Sequence, residues 1–261
     1  MATIDRDPPP DPMLDWDSDL DWDLSPQRRW NPRHVLLVIV GLVTVLAAVV
    51  IVLQTRRAES KEVPGPVRTA PAVALAEPGG REGAAGFPIG FPQTEIGAVS
   101  AASATLEGAW TLDGARAEQA AVLYAPPDQR EAAREGAKAV VRGWRETLGL
   151  PTKGELPEGA ALRTQTIGVQ WQARDDDQVQ VSVLVLVTAT KGGDDDTSVY
   201  SSPYAMNLLM TWLPDARGAG QGDWVNIPDP TPPAVPAAAL PGTPEFAAAG
   251  WKSITGPRPT P

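Results

Sequence analysis

The spacing of apolar residues changes character along this chain. From Val35 to Leu53 there is no period: VLLVIVGLVTVLAAVVIVL is apolar throughout, without charge, Pro or amide. At about 1.5 Å per residue this run covers roughly 30 Å as a helix, the hydrocarbon thickness of a bilayer. A helix is also the one single-segment structure that satisfies its own backbone in lipid. The run predicts a transmembrane helix from Val35 to Leu53. A secretory h-region is shorter and follows a short basic leader, and a soluble core helix carries a polar stripe.

From Thr94 the period becomes helical. Thr94 is placed as an N-cap, Glu95 stands in the first turn, and Ile96, Val99, Ala102 and Leu106 share a face. A short second helix is expected over Ala115 to Tyr124, stopped by Pro126 and Pro127. Asp128 caps a third, whose stripe is Ala133, Ala137, Val140, Val141, Trp144 and Leu148, with Gly149 and Pro151 ending it.

After Pro151 the period falls to two. Ile167, Val169 and Trp171 share one face of a strand over Leu162–Gln172. Val179, Val181, Val183, Val185 and Val187 share one face of Gln178–Thr190, and Leu184 and Leu186 make its other face apolar as well, as in a central strand. Met206, Leu208, Met210 and Trp212 alternate in a third strand, Tyr204–Leu213, and Asp223–Ile227 gives a short fourth. Short polar turns between them predict a four-stranded antiparallel meander with two to three helices on one face, an α+β domain.

The flanks are of low complexity. Residues 1–34 carry eight Asp and one Arg in their first 27 positions, together with Pro. Such a segment buries too little apolar area to offset its ordering entropy, so an unfolded tail is expected. Within it an acidic-aromatic unit occurs twice, as Asp15, Trp16 and Asp17 and as Asp21, Trp22 and Asp23, each led by Leu. One reading is a linear motif for a basic, grooved partner; the other is a solvated tail whose indoles rest at a membrane surface. Residues 54–86 read as a Pro/Gly/Ala-rich stalk and residues 228–261 as a Pro-rich tail with one apolar island, Phe246–Ile254. Arg28, Arg29 and Arg33 before the span nearly balance Arg56, Arg57 and Lys61 after it. Topology therefore rests on the short N-terminal tail and the exportable domain, which favour a cytoplasmic N-terminus.

Composition narrows the chemistry. A net charge of −10 argues against a nucleic-acid footprint. With no Cys, and with His34 as the single His, thiol catalysis, His-based triads and His-cluster metal sites fall away. Lys138, Lys153, Lys191 and Lys252 stand at no Ser-Lys spacing. No phosphate-cradling or dinucleotide Gly loop follows a strand. The Asp-rich turns at Asp175–Asp177 and Asp194–Asp196 lack the alternating spacing of a Ca²⁺ loop and read as solvated turns. No catalytic residue, metal ligand or cofactor site is expected. Trp110, Trp144, Trp171, Trp212 and Trp224 are the candidate aromatics, as lining of a pocket or as core.

Tail, apolar span, stalk, helices and meander together resemble the membrane-anchored nuclear-transport-factor-2-like domains of the type IV secretion inner-membrane assembly factor and of TcpC-type conjugation proteins. The stretch Gly90-Phe91-Pro92-Gln93-Thr94-Glu95-Ile96-Gly97-Ala98-Val99-Ser100-Ala101-Ala102 is similar to one that opens this domain in actinobacterial conjugation-associated membrane proteins. The resemblance covers 87–227 and implies a curved, cone-like sheet. It implies a non-enzymatic, single-pass scaffold of a cell-envelope transfer complex for conjugative DNA, with an extracytoplasmic domain that packs on other subunits or on copies of itself. A basic cytoplasmic ATPase or coupling protein would take the acidic tail. Mce-associated membrane proteins share the layout and imply an alternative, a domain that binds a lipid or small hydrophobe.

Overall fold

The computed structural model describes residues 72–192 and 199–255. Short strands β1 (Ala72–Ala74), β2 (Gly80–Glu82) and β3 (Phe87–Ile89) lead into helices α1 (Glu95–Ala109), α2 (Gly114–Leu123) and α3 (Arg130–Thr147). Strands β4 (Ala161–Asp175), β5 (Gln178–Thr190), β6 (Val199–Leu213) and β7 (Asp223–Ile227) follow, then α4 (Pro244–Ala248) and β8 (Lys252–Thr255).

The main sheet runs β1-β8-β4-β5-β6-β7. Its β4–β7 portion is antiparallel, β8 adds antiparallel to β4 at Gly168 and Val169, and β1 pairs parallel with β8. The expected four-stranded antiparallel sheet is thus corrected to a six-stranded mixed one. The two added strands are three and four residues long, too short to show an alternation, and they come from segments that read as stalk and tail.

The expected transmembrane helix is corrected as well. Among the described residues no helix is long and apolar enough to cross a membrane, and Val35–Leu53 lies outside them. Helix α1, at 15 residues, covers only about 22 Å at 1.5 Å per residue, and α3 carries charged residues along its length. The single-pass membrane localisation with a cytoplasmic N-terminus accordingly finds no spanning helix to support it among the described residues.

Helix α1 is the axis of the core. Thr94 Oγ1 caps it by accepting from Gly97 N–H at 3.0 Å. Every residue from Gly97 to Leu106 is buried, so the single apolar face read from the sequence is in fact burial on all sides. Small residues permit this, and the hydroxyls of Ser100, Ser103 and Thr105 donate to carbonyls four residues back. Helix α1 contacts β4, β5, β6 and β7, while α2 and α3 form a hairpin beside it, meeting through Ala117, Ala121, Ala137 and Val141. At the end of α3, Arg145 holds the incoming loop by donating to the carbonyls of Leu112 and Gly154.

The sheet's other face is covered too. Chain beyond Ile227 crosses it, and Phe246, Trp251 and Ala239 close over Leu184 with Ile167 and Ala205 beside them. Gly168 makes room for this: a Cβ there would stand 2.9 Å from the Phe246 ring. The fold is three layers, helices on sheet on strap, and it extends past the 87–227 limits on both sides.

Candidate functional site

The densest buried chemistry lies where β7 begins. Asp223 is fully buried, and its carboxylate accepts from the backbone N–H groups of Gly90 (2.8 Å), Phe91 (3.2 Å) and Trp224 (2.9 Å). Arg217 Nε completes the set at 2.9 Å, with both side chains almost wholly buried. Arg217 Nη1 donates to Leu123 O, its guanidinium lies 5.9 Å from the Tyr124 ring, and Nη2 has no hydrogen-bond partner. Neighbouring groups fasten the same loop: Tyr124 donates its hydroxyl to Pro88 O at 2.7 Å and Trp224 Nε1 donates to Pro92 O at 2.9 Å. Burial raises the Tyr124 pKa, with Arg217 opposing, so the hydroxyl stays a donor. Gly97 approaches Pro92 so closely that a Cβ would lie 1.9 Å from its carbonyl oxygen. The Gly-Phe-Pro stretch ahead of α1 is thereby explained as an anchoring loop. Each acceptor site of Asp223 is taken by a structural donor, which leaves no free carboxylate edge for a substrate.

The five candidate tryptophans fall in three places. Trp110 and Trp144 meet at 5.4 Å between ring centroids, and Tyr204 closes the group at 5.9 and 5.3 Å from them. Tyr200 adds a fourth ring, 6.5 Å from Trp144, and hydrogen-bonds through its hydroxyl to that of Tyr204. Burial and that bond push the Tyr204 pKa up. Trp212 and Trp224 pair at 5.5 Å at the far end of the sheet. Trp171 stands apart, half-exposed on β4, with Lys252 Nζ 3.5 Å from its ring centre and its Nε1 donating to Glu95 at 2.8 Å. Between helices and sheet the space is therefore filled by mutually tilted rings, the arrangement aromatic pairs favour.

Two further features involve charge. Glu107 is exposed as a residue, yet its carboxylate accepts from Thr166 N–H at 2.8 Å beside the β4 bulge between Thr166 and Gly168. Burial raises its pKa and the hydrogen bond to Thr166 opposes the rise. A groove of about 730 Å³ opens between the β2–β3 hairpin, α2, the start of α3 and the β6–β7 turn. Phe87 and Leu123 are among its apolar lining, and Glu82, Asp215, Arg130 and Arg217 also line it, so its charges balance.

The acidic-aromatic units with Trp16 and Trp22 lie outside the described residues, as does the Asp194–Asp196 turn. Among the described residues no three His, Cys, Asp or Glu side chains gather as metal ligands. The Asp223 anchor escaped the sequence reading because its Gly90 and Phe91 donors stand 133 and 132 residues away in the chain; the one signal was an Asp opening an apolar strand. Comparison with protein-family models, with curated proteins and with solved structures finds no match.

Proposed function

We propose that the chain is a non-enzymatic scaffold subunit of a transfer complex, of the conjugative, type IV secretion-like kind, whose α+β domain acts by packing on other subunits or on copies of itself. The observation that carries the non-enzymatic part is where the polar chemistry goes. Asp223, Arg217, Tyr124 and Tyr204 are all bound to the protein's own groups and hold the fold together. The transfer-complex part rests on the resemblance of Gly90–Ala102. The alternative, a site for a lipid or small hydrophobe, needs open space between helices and sheet, where the rings of Trp110, Trp144 and Tyr204 stand in contact.

The test is affinity purification of the tagged full chain after mild cross-linking, followed by native mass spectrometry. Recovery in fixed ratio with channel subunits or a transfer ATPase, or as a discrete oligomer, is the expected result. A monomer that carries a hydrophobic small molecule would overturn the reading.

A further inference from the structure

The strap that crosses the sheet carries on its outer side the segment Pro230-Thr-Pro-Pro-Ala-Val-Pro-Ala-Ala-Ala-Leu-Pro-Gly-Thr243, which contains no charged residue. Up to Leu240 it forms neither helix nor strand. It is nevertheless pinned at regular intervals. Asp229 pairs with Arg174 at 3.1 Å and accepts from Thr231 N–H at 2.8 Å. Asn207 Nδ2 donates to Pro233 O and Trp251 Nε1 donates to Ala237 O, both at 2.8 Å. Thr243 closes the far end on Leu240 O, and Ala239 is buried against the sheet.

Proline fixes its own φ near −65° and drives the preceding residue to extended conformation, so after the bend at Pro230 and Thr231 the stretch from Pro232 favours the polyproline II form. With three residues per turn, Pro233, Pro236 and Ala239 make one ridge, and it meets the domain through the Asn207 bond, the partial burial of Pro236 and the burial of Ala239. Pro232, Val235 and Ala238 make the next ridge, and all three are exposed. Val235 (44% exposed) and Leu240 (48%) are the exposed large hydrophobic residues among the described residues, and both stand on this segment. Prolines lack the N–H that strand addition needs, so a partner cannot read the segment as an extra β-strand.

We propose that Pro232–Leu240 is a polyproline II ligand, held in place by the domain, for a protein partner with an aromatic-lined, uncharged groove. The ridge of Pro232, Val235 and Ala238 enters the groove, with Leu240 as an outer contact. Anchoring of the segment at Asp229, Pro233 and Ala237 removes most of the ordering cost that a free proline-rich peptide would meet on binding. The inference does not depend on which assembly the domain serves.

Isolated ¹⁵N-labelled SH3, WW and EVH1 domains serve as probes of groove chemistry and are titrated with the full chain. Saturable shifts confined to groove aromatics in at least one probe are expected. Val235→Asp and Pro232→Ala should each weaken that binding at least tenfold. Both positions are exposed, so the near-ultraviolet circular dichroism of the variants should match the parent, and Lys153→Ala should bind as the parent does. If no probe saturates below about 1 mM, or if Val235→Asp binds like the parent, the inference is overturned. Loss of the oligomer or complex with binding of the probe retained would count against the scaffold reading alone.

Discussion

At the scale of single residues, the buried charges set the sharpest expectations. Removing Asp223 by Asp223→Ala strands Arg217 without its counter-charge and frees the N–H groups of Gly90 and Phe91. Breaking a buried pair from one side costs about 3–5 kcal/mol, so urea unfolding should show a large fall in midpoint. A loss under about 1 kcal/mol would mean the loop is held by other contacts. Glu107 gives a pH-dependent expectation. Its folded pKa is raised above the usual glutamate range, mainly by burial of the carboxylate. The native state therefore binds that proton more tightly than the unfolded chain does. The stabilisation is present below the unfolded pKa and is lost as pH rises through the folded one. Glu107→Gln keeps an acceptor for Thr166 N–H and removes the charge. Thermal melts should show the variant gaining on the parent as pH goes from 4 to 7; a constant difference across that range would contradict the assignment.

At the scale of elements, the strap and the sheet are fitted to one another through Gly168. A methyl group there meets the Phe246 ring at 2.9 Å beside a strand bulge, where neither partner has room to retreat. Gly168→Ala should cost about 1–3 kcal/mol by overpacking, and Phe246→Ala about 3–5 kcal/mol by leaving a cavity. Combined, the two should cost less than their sum because the cavity accepts the methyl, which denaturant titration of all three variants will measure. This element pair also marks the limit of what periodicity can see. The strands β4 to β7 have at least five residues each, and Val179 to Val187 point to α1 as their spacing indicates, whereas the β4 bulge sends Ile167 to the strap and leaves Val169 and Trp171 with the helices, so those three do not share the face their spacing suggests. Trp110, Trp144 and Trp224, which the sequence leaves open between pocket and core, are buried. The strands β1 and β8 carry no such alternation, and their pairing joins residues near opposite ends of the described chain, as Ala72 with Ser253. The all-round burial of α1 was likewise hidden, since a run of Ala, Ser and Gly gives the same pattern whether one face or every face is covered.

For the whole molecule, the question is where the cooperative unit ends. A cut after Ile227, at the limit of the hydrophobic alternation, removes Phe246 and Trp251, each about 1% exposed, and uncovers Leu184 on the central strand. It also takes away β8, and with it the partner of β1 and the cover at Gly168 and Val169 on the β4 edge. Exposed apolar surface beside an unpaired strand edge favours association over folding. Residues 72–227 should therefore bind a hydrophobic dye and elute as aggregate, whereas residues 72–255 should unfold in one cooperative transition. Adding 228–255 as a separate peptide should restore part of the transition, because the strap's contacts are made by side chains that reach their sites without covalent connection. If 72–227 instead melts cooperatively at the same temperature as 72–255, the strap is a surface attachment. Its proline segment would then lose the fixed presentation on which partner binding is argued.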